Sequence, residues 1–339
     1  MPAGAFQMST RSLIAIEVSL IAAAALILVL ISGGLGAGEP AGQPPEEAAA
    51  AATGAADGPL AFVSDPAPSA SPTPRALAPD ACGPPVSGDF FAHNQILSYY
   101  GNPYAEGMGI LGELEPDELV SRLLAHAAEY DALNGDKGVR AALHIVWATA
   151  QGSEGRDGTY LLYVDKRTMQ EYIDLACRNG LLVFIDLQIG RSDVATEVEK
   201  ALPYLEEPHV HLALDPEFAM APGEVPGESI GTLDAEDVNA AQRAVQAFAR
   251  ERGLADKIVM VHQFLDTMIT RPDLLERYPG VRLAIDMDGF GPAEIKRVKY
   301  GWYAAPADYS AIKLFFKHDP DLMSEADVLA LGPDIIIYQ

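Results

Sequence analysis

The chain has 339 residues, of which 48 are Asp or Glu and 23 are Lys or Arg, giving a formal net charge of −25. Because phosphate backbones and anionic lipids repel a protein of this charge, we expect no nucleic-acid partner. The two cysteines, Cys82 and Cys177, form neither a CxxC motif nor a Cys/His cluster, so the sequence predicts no structural zinc site.

The N-terminal region consists of residues 1–11 followed by an apolar segment, 12–32, whose only acid is Glu17. A run of about twenty apolar residues is enough for a helix to cross a bilayer. We predict that 1–11 are a cytoplasmic segment or the n-region of a signal peptide, and that 12–32 are a transmembrane anchor or a cleaved signal peptide. Either version places the remaining chain outside the cytoplasm, anchored to the membrane or secreted. A buried helix of a soluble domain is the alternative.

Residues 33–88 are rich in Ala, Pro, Gly and Ser and contain too few large apolar side chains to form a core. This composition predicts a disordered linker between the membrane and a folded domain at 89–339. Export would permit a disulfide between Cys82 and Cys177. Two unpaired thiols, with Cys177 packed in a helix, are an equally open alternative.

From residue 95 onward, short apolar runs alternate with amphipathic stretches. The predicted strands are 95–101, 141–148, 181–188, 210–215, 257–263, 281–286, 311–316 and 334–338. The predicted helices are 116–133, 167–179, 193–205, 234–253, 267–277, 293–303 and 324–331. This alternation predicts an α/β fold, a TIM-like (β/α)8 barrel that lacks its last helix, with an open doubly wound sheet as the alternative. Residues near 89–94 are expected to cover the eighth strand.

Each predicted strand has one aliphatic face and one face that becomes polar late in the strand. In 281–286, for example, Leu283 and Ile285 oppose Ala284 and Asp286. Strands buried on both faces are normally apolar throughout, so these polar groups need partners or a wet cavity. Since barrel enzymes act at the C-terminal ends of their strands, the predicted site gathers Tyr100, Asn102, Asp186, Gln188, Asp215, Glu217, His262, Gln263, Asp286, Asp288 and Lys317.

Asp215 and Glu217 are the candidate catalytic pair, because they share one face at the end of the fourth strand. Neighbouring acids disfavour simultaneous ionisation, so the pKa of one carboxyl should rise, and a protonated carboxyl can act as a general acid. Asp186 and Asp286 come from other strands and are candidates for base, nucleophile or stabilising carboxylate. The remaining predicted residues would bind substrate. No organic cofactor is implied.

The D-x-E formed by Asp215 and Glu217 resembles that of chitinase-type and muramidase-type glycosidase barrels. The resemblance implies that Glu217 is the proton donor and Asp215 its supporting acid. The longer D-x-x-D-x-D-x-E signature is absent, since Leu, Ala and His stand where the earlier acids would be. Over most of 95–339, the segments LDPEF, HQF, DMDGFG and IIIYQ resemble an uncharacterised family of exported bacterial barrel proteins, a likeness that implies no particular activity.

The leading hypothesis is an exported glycoside hydrolase that cleaves a polysaccharide or a peptidoglycan-like polymer of the cell envelope through paired carboxylates. One rival is a metal-dependent hydrolase whose ligands are Asp186, Asp215, Glu217, His262 and Asp286. A second rival is a barrel that binds glycans without cleaving them. Purely structural roles also stay open: Asp215 could shape a loop, Asp286 could pair with Lys313, Asp288 could form a turn, and His262 could be a hydrogen-bonded barrel residue.

Overall fold

A computed structural model of the protein describes residues 82–339. The predicted segments 1–11 and 12–32, and the predicted linker before Cys82, lie outside the described residues. Within the described part of the chain, no helix has the length and apolarity that crossing a membrane requires.

The eight predicted parallel strands close into a barrel, which confirms the fold class. The barrel strands are β1 (Asn94–Gly101), β2 (Gly138–Ala150), β3 (Leu182–Gly190), β4 (Val210–Ala219), β5 (Lys257–Gln263), β6 (Val281–Met287), β7 (Tyr309–Leu314) and β8 (Ile335–Tyr338). Each strand pairs in parallel with the next, and β1 pairs with both β2 and β8, so the sheet has no open end. A short strand, Leu161–Tyr163, joins β2 antiparallel outside this ring.

Helices occupy most of the connections between barrel strands. Their bounds are α1 (Phe90–His93), α2 (Ile110–Glu113), α3 (Pro116–Asp131), α4 (Lys166–Arg178), α5 (Val194–Ala201), α6 (Ala235–Arg252), α7 (Ala293–Tyr303) and α8 (Glu325–Leu329). Side-chain caps define several helix starts. Asp165 accepts the backbone N–H groups of Arg167 and Thr168 at the start of α4, and Asp234 forms a capping box at the start of α6.

The prediction of a helix at 267–277 is wrong. The structure has two short 3-10 turns there, Asp266–Met268 and Pro272–Leu274. Arg271, between them, has a left-handed backbone with φ of 51°, and it precedes a proline that disfavours the α conformation. The apolar spacing of this segment therefore reflects packing of an irregular loop.

The two faces of the barrel strands divide the core as predicted. The outward residues, such as Val259 and Val261 of β5, belong to the large apolar cluster between the sheet and the helices. The inward residues of the lower barrel, such as Ile258 and Met260, form a separate apolar cluster inside it. Above these residues the interior becomes polar, which places the candidate site at the C-terminal ends of the strands.

The segment before β1 closes the opposite end of the barrel instead of covering β8. Val86, Phe90 and Phe91 pack into the inner apolar cluster, so residues 82–88, assigned to the linker from composition, are part of the folded domain. Helix α3 packs near β8, where the hydroxyls of Tyr130 and Tyr338 are 2.8 Å apart.

Cys82 and Cys177 form a disulfide that ties this closing segment to α4 across a sequence separation of 95 residues. We predict that replacing both cysteines by Ser lowers the free energy of unfolding by about 2–4 kcal/mol, because the cross-link restricts the unfolded chain. Equilibrium denaturation in urea measures the change. An unchanged transition midpoint in the double variant would show that the cross-link does not contribute to stability.

Candidate active site

A cavity of about 490 Å³ opens at the C-terminal ends of the barrel strands. Polar side chains from five strands or strand ends line its floor: Tyr100, Gln188, Asp215, Glu217, Asp288 and Lys313. Aromatic side chains line its walls: Tyr104, Tyr163, Phe218, Phe264, Phe290 and Phe315. Cavities of a few hundred cubic ångströms with apolar walls and a few convergent polar groups are typical small-molecule sites.

The structure brings together six of the predicted site residues at this cavity: Tyr100, Asn102, Gln188, Asp215, Glu217 and Asp288. Asn102 shapes the loop after β1. Its amide donates to the carbonyl of Val146 and to Thr149 Oγ1, and its Oδ1 accepts the N–H of Tyr104. These bonds use the polar atoms of Asn102, so its contribution to the cavity is structural.

Five predicted residues do not line the cavity. Asp186, His262 and Asp286 lie beneath its floor and are fully buried. Gln263 faces outward, as strand alternation requires next to the inward His262, and its amide donates to the carbonyl of Leu265. Lys317 is a surface residue with a 64% exposed side chain.

Lys317 lies outside the cavity because the seventh strand is shorter than predicted. The sequence predicts a seventh strand that runs to residue 316, which would carry Lys317 to the mouth. In the structure β7 ends at Leu314 and the chain turns. Lys317 Nζ instead lies 2.6 Å from the Glu113 carboxylate.

Asp215 and Glu217 are adjacent inward residues of β4, both at the cavity. Asp215 Oδ2 accepts the Gln188 amide at 3.3 Å, and Asp215 Oδ1 accepts the backbone N–H of Glu217 at 3.1 Å. Among the described residues, no hydrogen bond reaches the Glu217 carboxyl. Asp215 is therefore held in place, whereas Glu217 is free to bond a ligand.

The environments of the two acids favour their protonated forms. Burial raises the pKa of Asp215 to about 7, and the nearby charges of Asp186 and Asp288 act in the same direction. Burial also raises the pKa of Glu217 well above its usual range, with further contributions from the charges of Asp215 and Asp288. The pair therefore combines a Glu217 whose protonated form is favoured with an Asp215 that can gain or lose a proton near neutral pH.

Lys313 supplies a positive charge beside these acids, and the predicted site residues did not include it. Its Nζ lies 3.0 Å from Asp288 Oδ1 and 3.4 Å from the centroid of the Tyr100 ring. Burial alone would lower the pKa of Lys313, but the carboxylates of Asp288 and Asp286 outweigh it and raise the pKa. Lys313 is thus a fixed ammonium at the cavity floor. Strand alternation did place it on the inner face, with Asp286 as the expected partner.

A second polar layer lies directly below the floor. His262 Nδ1 is 2.8 Å from Asp286 Oδ2 and 3.2 Å from Asp288 Oδ2, while His262 Nε2 is 3.3 Å from Asp186 Oδ2. His144 Nε2 is 3.5 Å from the same Asp186 oxygen. His144 was not among the predicted residues, although its inward position in β2 follows from the alternation in AALHIVWA.

Two further buried charges hold the loops that carry Asp288 and Phe315. Asp319 accepts the backbone N–H groups of Gly291 and Phe315 at 2.8 and 2.9 Å. Lys296 pairs with Asp319 at 3.1 Å and donates to the carbonyls of Gly289 and Lys313. These contacts hold the cavity residues on β6 and β7 in position before any substrate binds.

The buried carboxyl of Asp215 should lower the free energy of unfolding when the pH is high enough to ionise it. The pKa is about 7 in the folded protein and about 3.9 in an unfolded chain, so the folded state retains a proton that the unfolded state releases between these values. The protonated Asp215 therefore makes its full contribution to the free energy of unfolding below about pH 4. This contribution decreases as the pH rises and is lost once the pH has passed about 7. We predict that Asp215→Asn raises the free energy of unfolding at pH 8 by roughly 1–3 kcal/mol and has little effect at pH 4. Urea denaturation at both pH values measures this, and an equal change at both would contradict it.

No protein-family model matches the chain, and no curated protein matches it in sequence. Among solved structures, the chain is similar to 2,3-dimethylmalate lyase, a PEP mutase/isocitrate lyase superfamily member, with 13% identity over 73% of this chain and 76% of that one and a TM-score of 0.41. It is also similar to oxaloacetate acetylhydrolase, with 12% identity over 76% of this chain and 81% of that one and a TM-score of 0.42. Likeness at this level carries no argument about the reaction of this protein.

The prediction of a glycoside hydrolase is corrected here. The solved structures reported above are a lyase and an acetylhydrolase, not glycosidases, and no family model matches the chain. The site also departs from the expected arrangement, because Asp186 and Asp286 are sealed below the floor and cannot contact a sugar. The D-x-E of β4 is a short motif that by itself does not support a glycosidase.

Proposed function

We propose that the protein is a hydrolase that binds a small molecule in the cavity and cleaves it with Glu217 and Asp215 as an acid–base pair. One observation carries this proposal: two adjacent carboxyls, one without a hydrogen-bond partner among the described residues, face a small-molecule cavity beside the fixed ammonium of Lys313. The aromatic walls favour a substrate with an apolar portion, and the polar floor favours a cleavable polar group at its end.

The proposed reaction uses the two acids in different protonation states. Asp215, as a carboxylate held by Gln188, accepts a proton from the attacking water. Glu217, as a neutral carboxyl, donates a proton to the leaving atom. Lys313 stabilises negative charge that develops on the substrate. The proton then returns from Asp215 to Glu217, its neighbour on β4, which restores the starting state.

The proposed protein is a hydrolase, as in the metal-dependent alternative. The five metal ligands expected for that alternative fall into two groups. Asp186, His262 and Asp286 come together in the layer below the floor. Asp215 and Glu217 stay at the cavity and belong to none of the metal-sized clusters of the described residues. They are therefore assigned to proton transfer.

A substrate screen tests this function. The full-length protein would be incubated with a panel of small-molecule esters, amides and lactones, and products would be identified by mass spectrometry. The proposal expects turnover that is lost in Glu217→Gln and retained in Glu171→Gln, an exposed glutamate of α4 that pairs with Arg167. Binding of panel members without turnover by the wild-type protein would instead support a binding barrel and contradict the proposal.

A further inference from the structure

The polar layer below the cavity contains buried atoms without hydrogen-bond partners. Among the described residues these atoms are His144 Nδ1 and Nε2, Asp186 Oδ1 and Oδ2, His262 Nε2 and Asp286 Oδ1. Folded proteins rarely leave such atoms unsatisfied, because each unpaired buried polar group destabilises the fold. A concentration of them on four inward side chains, from β2, β3, β5 and β6, indicates that a bound species belongs between them.

The spacing of these atoms fits a metal ion. Asp186 Oδ2 is 3.3 Å from His262 Nε2 and 3.5 Å from His144 Nε2. One ligand atom from each of the three residues lies within 4.8 Å of the others. Two ligands bound tetrahedrally at about 2.0–2.1 Å from an ion are roughly 3.3–3.4 Å apart. The observed separations match this value and are too long for well-formed charge-assisted hydrogen bonds.

The surroundings of His262 support the same conclusion. Its Nδ1 is 2.8 Å from Asp286 Oδ2, so that a proton on Nδ1 is donated to this carboxylate. Nε2 is then the ring atom that faces Asp186 and His144 and would bind an ion between them. A carboxylate that orients a histidine in this way is the usual outer partner of a metal-binding imidazole.

We propose that His144, Asp186 and His262 bind one divalent transition-metal ion, of the zinc class, inside the barrel. Two imidazole nitrogens and one carboxylate favour such an ion over Mg²⁺ or Ca²⁺, which prefer oxygen ligands. The ion joins β2, β3 and β5 below the cavity floor, where Tyr100 covers the rings of His144 and His262 at centroid distances of 4.9 and 6.0 Å. This site is separate from Asp215 and Glu217 and does not depend on the proposed reaction.

Metal titration of the full-length protein tests the site. After removal of metal with a chelator, isothermal titration with Zn²⁺ should show one ion bound per chain and a higher midpoint of thermal unfolding, whereas Mg²⁺ should change neither. Asp186→Asn, which preserves shape, should abolish the midpoint shift. Asp286→Asn removes the outer carboxylate and should weaken Zn²⁺ binding by about 10–100-fold.

A matched pair of histidine variants separates ligation from general damage to the barrel. His144→Asn should lose Zn²⁺ binding. His211→Asn should retain it, because His211 is an equally buried inward histidine whose Nδ1 accepts the N–H of Ile258 away from the cluster. Two results would overturn the proposal: no Zn²⁺ binding by the wild-type protein, or equal Zn²⁺ affinity in Asp186→Asn and wild type. The contact between His262 and Asp186 would then be explained by a shared proton.

Discussion

Glu217→Gln is expected to lower kcat/KM for the cleaved small molecule by about a hundredfold to ten-thousandfold, since a positioned general acid contributes a factor of this size. The amide fills the space of the carboxyl, but it cannot donate the proton that the leaving atom needs. The fold should not suffer, because no hydrogen bond reaches this carboxyl among the described residues and burial disfavours its ionised form. Steady-state kinetics and the thermal unfolding midpoint would be measured together.

Asp215→Asn should reduce activity by a comparable factor, and the double variant should be little worse than either single variant, because the two acids act as one unit. Glu171→Gln provides the control for a charge removed from the surface. Activity in Glu217→Gln within about threefold of wild type would exclude general acid catalysis by this residue.

Lys313→Met is expected to lower the free energy of unfolding by about 3–5 kcal/mol, the usual result of removing one partner from a buried ion pair. Asp288 would be left buried with its carboxylate 3.0 Å from the position of the lost ammonium. Activity should fall as well, since the cavity loses its fixed positive charge. Urea denaturation and kinetics on the same samples give both effects.

The double variant Lys313→Met with Asp288→Asn distinguishes these two roles. Removing both charges should restore most of the stability, because the buried carboxylate that had lost its ammonium partner is removed as well. It should not restore activity, which requires the ammonium. A double variant that regains activity along with stability would show that Lys313 has only a structural role.

The barrel could be predicted from the sequence because its strands and helices have different periodicities and sharp boundaries. Strand 257–263 and helix 293–303 were predicted with the bounds that the structure shows. Helix 267–277 was not, because the apolar residues of an irregular loop happened to match a helical spacing around Arg271 and Pro272. The spacing of apolar residues does not reveal that a single residue has a left-handed backbone.

The sequence predicted which side chains of the candidate site point into the barrel, but not how deep each of them lies. Alternation along each strand identified Asp186, Asp215, Asp286 and His262 as inward residues. It could not show that Asp186 and Asp286 lie one layer below Asp215, because depth depends on the relative register of neighbouring strands, such as Gln188 beside Asp215. The Lys313–Asp288 pair depends on the same register and on the early end of β7.

The protonation state of Glu217 is the most direct test of the central claim that an acid–base pair lies at the barrel mouth. Carboxyl ¹³C signals of the full-length protein would be followed against pH, with Glu217→Gln and Asp215→Asn used to assign them. We predict that Glu217 keeps its proton to a pH well above the range of an exposed glutamate and that Asp215 titrates near pH 7. Titration of both carboxyls near pH 4, as in exposed acids, would contradict the account.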